Sequence, residues 1–234
     1  MRLDKLLAHS GFGTRKEVKN MIKKGHVSIN NQVIKIDKYQ VDTCKDIVEV
    51  DGEIIEYEEY VYYMLNKPAG YVSATEDMYY PTVVDLITDY YRHDLFPIGR
   101  LDIDTEGLLI LSNDGVLAHQ LLSPKKHCPK VYYAKIEGVV DENDIIQFRK
   151  GIVLEDITCQ SAELHILAVE DGYSEIELTI YEGKFHQVKR MFLAVGKKVI
   201  YLQRKCMKDL KLDSQLALGE YRKLTQEELD RLKN

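Results

Sequence analysis

No long apolar run occurs in this chain. None of its segments approaches the roughly 18 apolar residues that a membrane-spanning helix needs, and Met1-Arg2-Leu3-Asp4-Lys5 lacks the apolar core of a signal peptide. A cytoplasmic protein with no membrane partner is expected. Cysteine is scarce: Cys44, Cys128, Cys159 and Cys206 stand far apart without a Cys-x-x-Cys pair, so neither a zinc site nor a disulfide framework is indicated. The seven histidines show no His-x-x-x-His or Glu-x-x-His spacing, and no metal is expected. No Gly-x-Gly loop follows a strand where a nucleotide-like cofactor would sit, which sets aside a cofactor-dependent methyltransferase; cofactor-free chemistry is expected.

What is present is a globular composition. With 234 residues, 30% charged and 45% hydrophobic, the chain can bury a core as one large domain or as a small domain and a larger one. The net charge of -6 argues on its face against a nucleic-acid partner, but its distribution argues otherwise. Residues 1–30 carry seven Lys or Arg against two acids, a balance of +5; residues 37–60 balance at -7; residues 184–211 at +8. Two basic patches separated by an acidic stretch attract a phosphate backbone locally.

Residues 1–56 read as a small module. Leu3, Leu6 and Leu7 have the spacing of an amphipathic helix, broken at Gly11-Phe12-Gly13. Thr14, with Glu17 three residues on, forms a capping-box pattern for a second helix through Lys24 that Gly25 stops. Arg15, Lys16, Lys19 and Lys23 give that helix a basic stripe. Val27 to Asn30 and Val33-Ile34 then alternate about Asn30-Asn31, a hairpin signal because asparagine tolerates positive φ. This order resembles the S4 RNA-binding domain, whose usual pattern has glycine where this chain has Asn31. Residues 57–60 have no apolar face and read as a linker, which leaves 61–234 for a second domain.

That second domain is organised around Gly99-Arg100-Leu101-Asp102-Ile103-Asp104-Thr105-Glu106-Gly107, a charged loop that runs into an apolar strand, Leu108 to Leu111, closed by a turn at Asn113-Asp114-Gly115. Carboxylates placed just before a buried strand must be partnered or used, so Asp102 and Asp104 are the first candidates for chemistry; an ion-paired β-turn is the plain alternative. If residues 102–104 are extended, both carboxylates point to one side. Around the motif, the pattern predicts a strand over Val61 to Leu65 ending in an Asn66-Lys67-Pro68-Ala69-Gly70 turn, and a helix over Thr82 to Tyr90. A helix over Val116 to Leu122 ends at Ser123-Pro124, a strand covers Lys130 to Ile136, and a helix covers Asp141 to Lys150. Strands follow over Ala162 to Val169 and Tyr173 to Tyr181, then a basic segment Lys184-Phe185-His186-Gln187-Val188-Lys189-Arg190-Met191 that enters a helix, a strand through Arg204, and a terminal helix.

Gly-Arg-Leu-Asp, Thr105, Gly-Leu-Leu and Asn-Asp-Gly, together with Asn-Lys-Pro-Ala-Gly, Lys-x-Tyr and His-Gln-Val-Lys-Arg-Met, resemble the signature of the RsuA-type family of RNA pseudouridine synthases. The resemblance implies an α+β fold: an S4-like module followed by a mainly antiparallel mixed sheet flanked by helices. It implies that Asp102 is catalytic, that Tyr132 packs on the target base, and that Lys189 pairs with Asp102 and keeps it ionised, with Arg190 able to share that role. Asp104 is then structural. RNA contacts are expected from Arg2, Lys5, Thr14, Arg15, Lys16, Lys19, Lys23 and Lys24 in the small module. Around the motif they are expected from Arg100, Lys130, His186, Gln187 and Arg190. The implied partner is ribosomal RNA, 16S RNA or a small-subunit assembly intermediate in the first instance, acted on by a monomer. The same reaction on 23S RNA and a non-catalytic S4-type assembly factor are the alternatives.

Overall fold

The computed structural model describes residues 1–90, 94–123 and 128–233, in two compact units: Met1–Tyr60 with Ile87–Leu95, and Val61–Leu86 with the chain from Phe96 onward. In the first unit, α1 (Leu3–His9) and α2 (Arg15–Lys24) cover a small antiparallel sheet of β1 (Val27–Ile29), β2 (Gln32–Val33), β3 (Val48–Val50) and β4 (Glu53–Ile54), ordered β2-β1-β3-β4. Leu3, Leu6, Leu7, Val18 and Ile22 pack on Val27, Ile29, Val48 and Val50. The capping box forms: the Thr14 amide donates to Glu17 Oε2 at 2.7 Å and the Glu17 amide donates to Thr14 Oγ1 at 3.4 Å, a device worth about 1 kcal/mol. Gly25 ends α2 in the left-handed region, and Asn30 (φ 50°) with Asn31 (φ 65°) makes the hairpin turn.

The second unit is built on β5 (Tyr62–Lys67), β6 (Phe96–Ile98), β7 (Glu106–Ser112), α3 (Gly115–Leu122), β8 (Lys130–Glu137), α4 (Glu142–Lys150), β9 (Glu163–Glu170), β10 (Tyr173–Ile180), α5 (Gln187–Ala194), β11 (Lys198–Met207), β12 (Leu210–Lys211), β13 (Tyr221–Lys223) and α6 (Gln226–Lys233). Among the described residues, nine strands form one mixed sheet, β13-β5-β7-β11-β8-β10-β9, with β6 beside β7 and β12 beside β11. β7–β11 is the one parallel strand pair among the described residues. Met64, Ile98, Leu108, Ile110 and Met207 of the sheet bury themselves with Leu117 and Leu121 of α3 and Leu229 and Leu232 of α6.

Three expectations change. The Thr82–Tyr90 helix is only a 3₁₀ turn, Val83–Leu86, closed by an i to i+3 bond from the Asp85 amide to the Thr82 carbonyl at 3.2 Å, while Asp85 Oδ2 accepts from the Thr82 amide at 2.7 Å. Asn113-Asp114-Gly115 is a helix start, with Asp114 Oδ1 accepting from the Val116 and Leu117 amides, both at 3.0 Å. Residues 102–104 form a turn closed by the Thr105 amide on the Asp102 carbonyl at 3.1 Å, so they are not extended. Pro124, expected to end α3, lies outside the described residues.

The parallel seam explains one glycine of the motif. Gly107 pairs with Arg204 and has φ 97°; a Cβ there would lie 2.3 Å from the Arg204 carbonyl oxygen and 2.9 Å from its amide nitrogen. Those are backbone atoms, which cannot swing aside. Gly107→Ala is expected to destabilise the second unit by more than about 3 kcal/mol, or to leave it insoluble. Thermal unfolding checks this, and a melting temperature within about 3 °C of the parent would contradict it.

Candidate active site

The loop that carries Asp102 is shaped from beneath by a buried ammonium. Lys67 ends β5 fully enclosed, and its Nζ donates to the carbonyls of Pro68 (3.0 Å), Asp102 (3.1 Å), Ile103 (3.3 Å) and Thr105 (2.9 Å). Three of those four acceptors belong to the turn itself, so one cation gathers its backbone. Burial pushes Lys67 down to about 8, against the upward pull of the Asp104, Glu106 and Asp102 carboxylates. The loop is also tied by the Gly70 amide on the Ile103 carbonyl (2.8 Å) and by Ser73, whose Oγ donates to the Leu101 carbonyl (2.9 Å) and accepts from the Leu101 amide (3.0 Å).

From the other side comes α5. Lys189 Nζ lies 2.9 Å from Asp102 Oδ2 and 2.5 Å from Asp104 Oδ1. Burial alone would lower the lysine, but its hydrogen bonds to Asp104 and Asp102 outweigh that and hold it above the usual ammonium range. Asp104 shows the reciprocal effect: desolvation raises it, the bond and charge of Lys189 lower it further, and the net direction is down. His186 precedes the helix at φ 47°, stacked on Phe185 with ring centroids 3.8 Å apart, and brings Nε2 to 3.7 Å from Asp102 Oδ1.

A cavity of about 530 Å³ opens over this cluster, lined among others by Arg100, Asp102, Tyr132, Lys184, His186 and Arg204. Asp102, 25% exposed, faces into it; Asp104, 66% exposed, is not part of the lining. Tyr132 is 7% exposed and stands opposite Arg204 in the β8–β11 register. The arrangement can offer a carboxylate, its cation and an aromatic side chain to one flat guest with an anionic backbone at the rim.

The sequence-predicted site residues separate by environment. Asp102, Tyr132, Arg100 and His186 meet at the cavity, and Lys189 reaches Asp102 from behind. Arg190 turns instead to Asp156, which it holds below the usual carboxylate range, so it does not share the pairing with Asp102. Gln187 is buried with its amide on Glu182 (2.8 Å), and Lys130 is buried with Nζ on the Cys128 carbonyl (2.9 Å), although both line the cavity. In the small unit, Arg15, Lys16, Lys23 and Lys24 are exposed and Lys5 half-buried. Arg2 is engaged with the buried Asp4 (2.7 Å), Lys19 lies 4.0 Å from Asp4 and 3.8 Å from Asp37, and Thr14 is occupied by its cap.

Reading the sequence overlooked Lys67 and Arg204. Both are cations placed within or at the end of apolar strands, where burial without a partner is costly, and that placement was the available signal.

Known proteins were compared with the chain. The RNA pseudouridylate synthase family model matches residues 61–194, and the S4 domain model matches residues 1–48. The chain is 50% identical over 231 residues to an uncharacterized RNA pseudouridine synthase, YtzG, of Bacillus subtilis, covering 98% of this chain and 97% of that one. It is 40% identical over 234 residues to the ribosomal small subunit pseudouridine synthase A of Haemophilus influenzae, covering 99% of each. It is 39% identical over 237 residues to the ribosomal large subunit pseudouridine synthase B of Bacillus subtilis, covering 99% of this chain and 95% of that one. A crystal structure of a pseudouridylate synthase superposes with a TM-score of 0.69 at 40% identity over 99% of both chains.

The buried ammonium yields a measurable consequence. Lys67→Met keeps the stem and removes every donor, so hydrogen exchange at the Gly70 and Thr105 amides is expected to quicken at least about tenfold while α4 is unchanged. Between pH 8 and 10.5 the unfolded chain holds a proton that folded Lys67 has shed, so its contribution to stability rises with pH across that window. Lys67→Met should flatten that rise. An identical pH profile of unfolding in the variant would show that Lys67 is not depressed.

Proposed function

Because the chain belongs to the RNA pseudouridylate synthase family and is an RsuA-type RNA pseudouridine synthase fronted by an S4 RNA-binding domain, we propose that it isomerises a uridine of small-subunit ribosomal RNA, acting as a cytoplasmic monomer, with Asp102 as the reacting carboxylate. The observation that carries the assignment of Asp102 over Asp104 is that Asp102 lines the cavity while sharing Lys189 with its neighbour.

Pseudouridine differs from uridine only in the atom that joins base to sugar. The N1–C1′ bond breaks, a C5–C1′ bond forms, C5 gives up its proton and N1 gains one; no oxidant or group donor enters. As N1 leaves, C1′ becomes electron-poor, and a carboxylate beside it stabilises or captures that centre. Lys189 holds Asp102 in place, and the Lys67-gathered turn keeps the carboxylate from drifting. Tyr132 packs on the base and keeps it in the cavity while it turns. A uridine within RNA must leave its stack to enter, and Arg100 and Lys184 at the rim are suited to the phosphates on either side. The exposed Arg15, Lys16, Lys23 and Lys24 give the S4 domain its hold on the backbone.

Large-subunit RNA is the second reading, favoured by 39% identity to the large-subunit enzyme of Bacillus subtilis. Against it stand the small-subunit relative's 99% coverage in both directions and a start, Met1-Arg2-Leu3-Asp4-Lys5-Leu6-Leu7, that looks like the small-subunit enzymes.

Pseudouridine mapping of ribosomal RNA from cells lacking the protein tests both levels. One small-subunit uridine is expected to lose modification, to regain it with the wild-type protein, and to stay unmodified with Asp102→Asn. Asp104→Asn is expected to restore it. Recovery with Asp102→Asn overturns the carboxylate assignment, and loss at a large-subunit uridine selects the second reading.

A further inference from the structure

The cavity floor holds positive charge that the reaction as described leaves idle. Arg204 on β11 is 1% exposed and lines the cavity; its Nε donates to the Leu108 carbonyl at 2.7 Å, but its Nη2 has no hydrogen-bond partner among the described residues. Lys130, two residues along β8 from Tyr132 and on the same face, is 8% exposed and lines the same cavity. Its ammonium is given to the Cys128 carbonyl. Neither cation has a carboxylate within ion-pair distance among the described residues. The nearest wall also carries Thr105, 1% exposed, with an Oγ that likewise has no partner.

Buried guanidinium donors are nearly always satisfied, because desolvating one without an acceptor costs free energy that the fold must recover elsewhere. An open donor on the wall of a cavity marks the place where a guest supplies the acceptor. The guest is identified by the neighbours. Arg204 stands opposite Tyr132 in the strand register, on the face that also carries Leu202 and Lys130. A flat base held against Tyr132 therefore presents an edge to β11. A phosphate is the wrong guest: it stays with the RNA backbone at the rim, beside the exposed Arg100 and Lys184, while Arg204 lies at the floor.

We infer that Arg204 donates through Nη2 to a carbonyl oxygen of the target uracil and stabilises the charge that the base acquires during isomerisation. The inference rests on the roles of Asp102 and Tyr132 given above. When N1–C1′ opens, the bonding pair stays with uracil and spreads from N1 onto O2 and O4, while C1′ is left to Asp102. If the carboxylate adds to C6 instead, the C5–C6 π pair moves onto O4. Either route loads a carbonyl oxygen, and either unloads it once C5–C1′ has formed, any bond from the carboxylate to C1′ or C6 has broken to return Asp102 as the free carboxylate, the C5 proton has left and N1 is protonated. A fixed guanidinium at that oxygen binds the charged base more tightly than the neutral one, which is the condition for lowering the barrier. Lys130, without a carboxylate of its own, adds to the positive field of the floor. Where that oxygen is O4, the same donor also selects uracil, because cytosine offers an amino group there, a donor facing a donor.

The test is a cycle between one enzyme group and one substrate atom, read as single-turnover rates on the RNA that mapping identifies. The target carries uridine, 2-thiouridine or 4-thiouridine, since sulfur accepts a hydrogen bond poorly. Arg204→Met is expected to slow the step about 100-fold or more with RNA affinity changed less than about threefold, and Arg204→Lys to recover part of the loss. One of the two thio substitutions is expected to slow the wild type and to cost Arg204→Met almost nothing further. Additive losses for both thio substrates, a wild type indifferent to both, or an Arg204→Met enzyme within about fivefold of wild type overturn the inference. If Arg204→Met does not fold, the folded Arg204→Lys enzyme carries the same cycle. A failure of the ribosomal reading appears earlier, in the mapping, and is thereby distinct from additivity on an RNA that the enzyme does modify.

Discussion

A single ammonium sets the geometry on which the rest of the site depends. Lys67 sits where the apolar strand β5 ends, and its donors reach the carbonyls of Asp102, Ile103 and Thr105. A turn whose carbonyls converge on one point has little freedom left. The side chains then leave it in fixed directions, Asp102 toward the cavity and Asp104 toward solvent. Burying a charge is costly in general, yet here the charge is solvated by backbone dipoles in place of water. Those dipoles belong to the loop that must not move, so the energy of solvating the cation and the energy of ordering the loop are one term.

The sheet supplies the second constraint. Among the described residues, every strand pair in the catalytic unit is antiparallel except β7 with β11. That parallel seam joins the strand leaving the Asp102 loop to the strand following α5, so the carboxylate and the helix carrying Lys189 arrive at the same end of the sheet. Gly107 is the cost of the close approach: only a residue without Cβ passes the Arg204 backbone there. Arg204 in turn binds the Leu108 carbonyl with Nε, so one arginine both pins the seam and opens onto the cavity.

What was legible in the sequence follows from range. Local chemistry read correctly: Thr14 with Glu17, Gly25 after α2, and Asn30-Asn31 at positive φ each depend on residues a few positions apart. Asn113-Asp114-Gly115 has the composition of a hairpin turn and forms a helix cap, because Asp114 accepts from the amides of Val116 and Leu117 when the next segment is helical. The segment from Thr82 has helical spacing, but it closes through an i to i+3 bond from the Asp85 amide to the Thr82 carbonyl and forms one 3₁₀ turn only. Asp102, Tyr132 and Lys189 were legible through motif resemblance, since nothing in periodicity separates them from surface charge or a core tyrosine. Lys67 and Arg204 escaped because hydropathy counts a lysine or arginine as exposed, and their partners are carbonyls that carry no residue identity.

Lysine at position 189 meets both acids of the motif through one point charge, without the fork-shaped pairing that an arginine would use. A guanidinium in a fork-shaped pairing places two parallel donors on one carboxylate and reaches a second acid through its remaining N–H groups, as Arg222 does with Glu228 and Asp213. An ammonium is a point charge with three independent donors, and Lys189 spends them on two acids at once, 2.9 Å from Asp102 and 2.5 Å from Asp104. The exposed acid takes the shorter contact. Asp104 therefore anchors the lysine from the solvent side and fixes the position from which it meets Asp102. Oδ2 of Asp102 lies 2.9 Å from that cation, while Oδ1 faces His186 at 3.7 Å. A carboxylate anchored in this way keeps its orientation at the cavity. On this argument the second aspartate of the motif positions the lysine, and its exposure reflects that role.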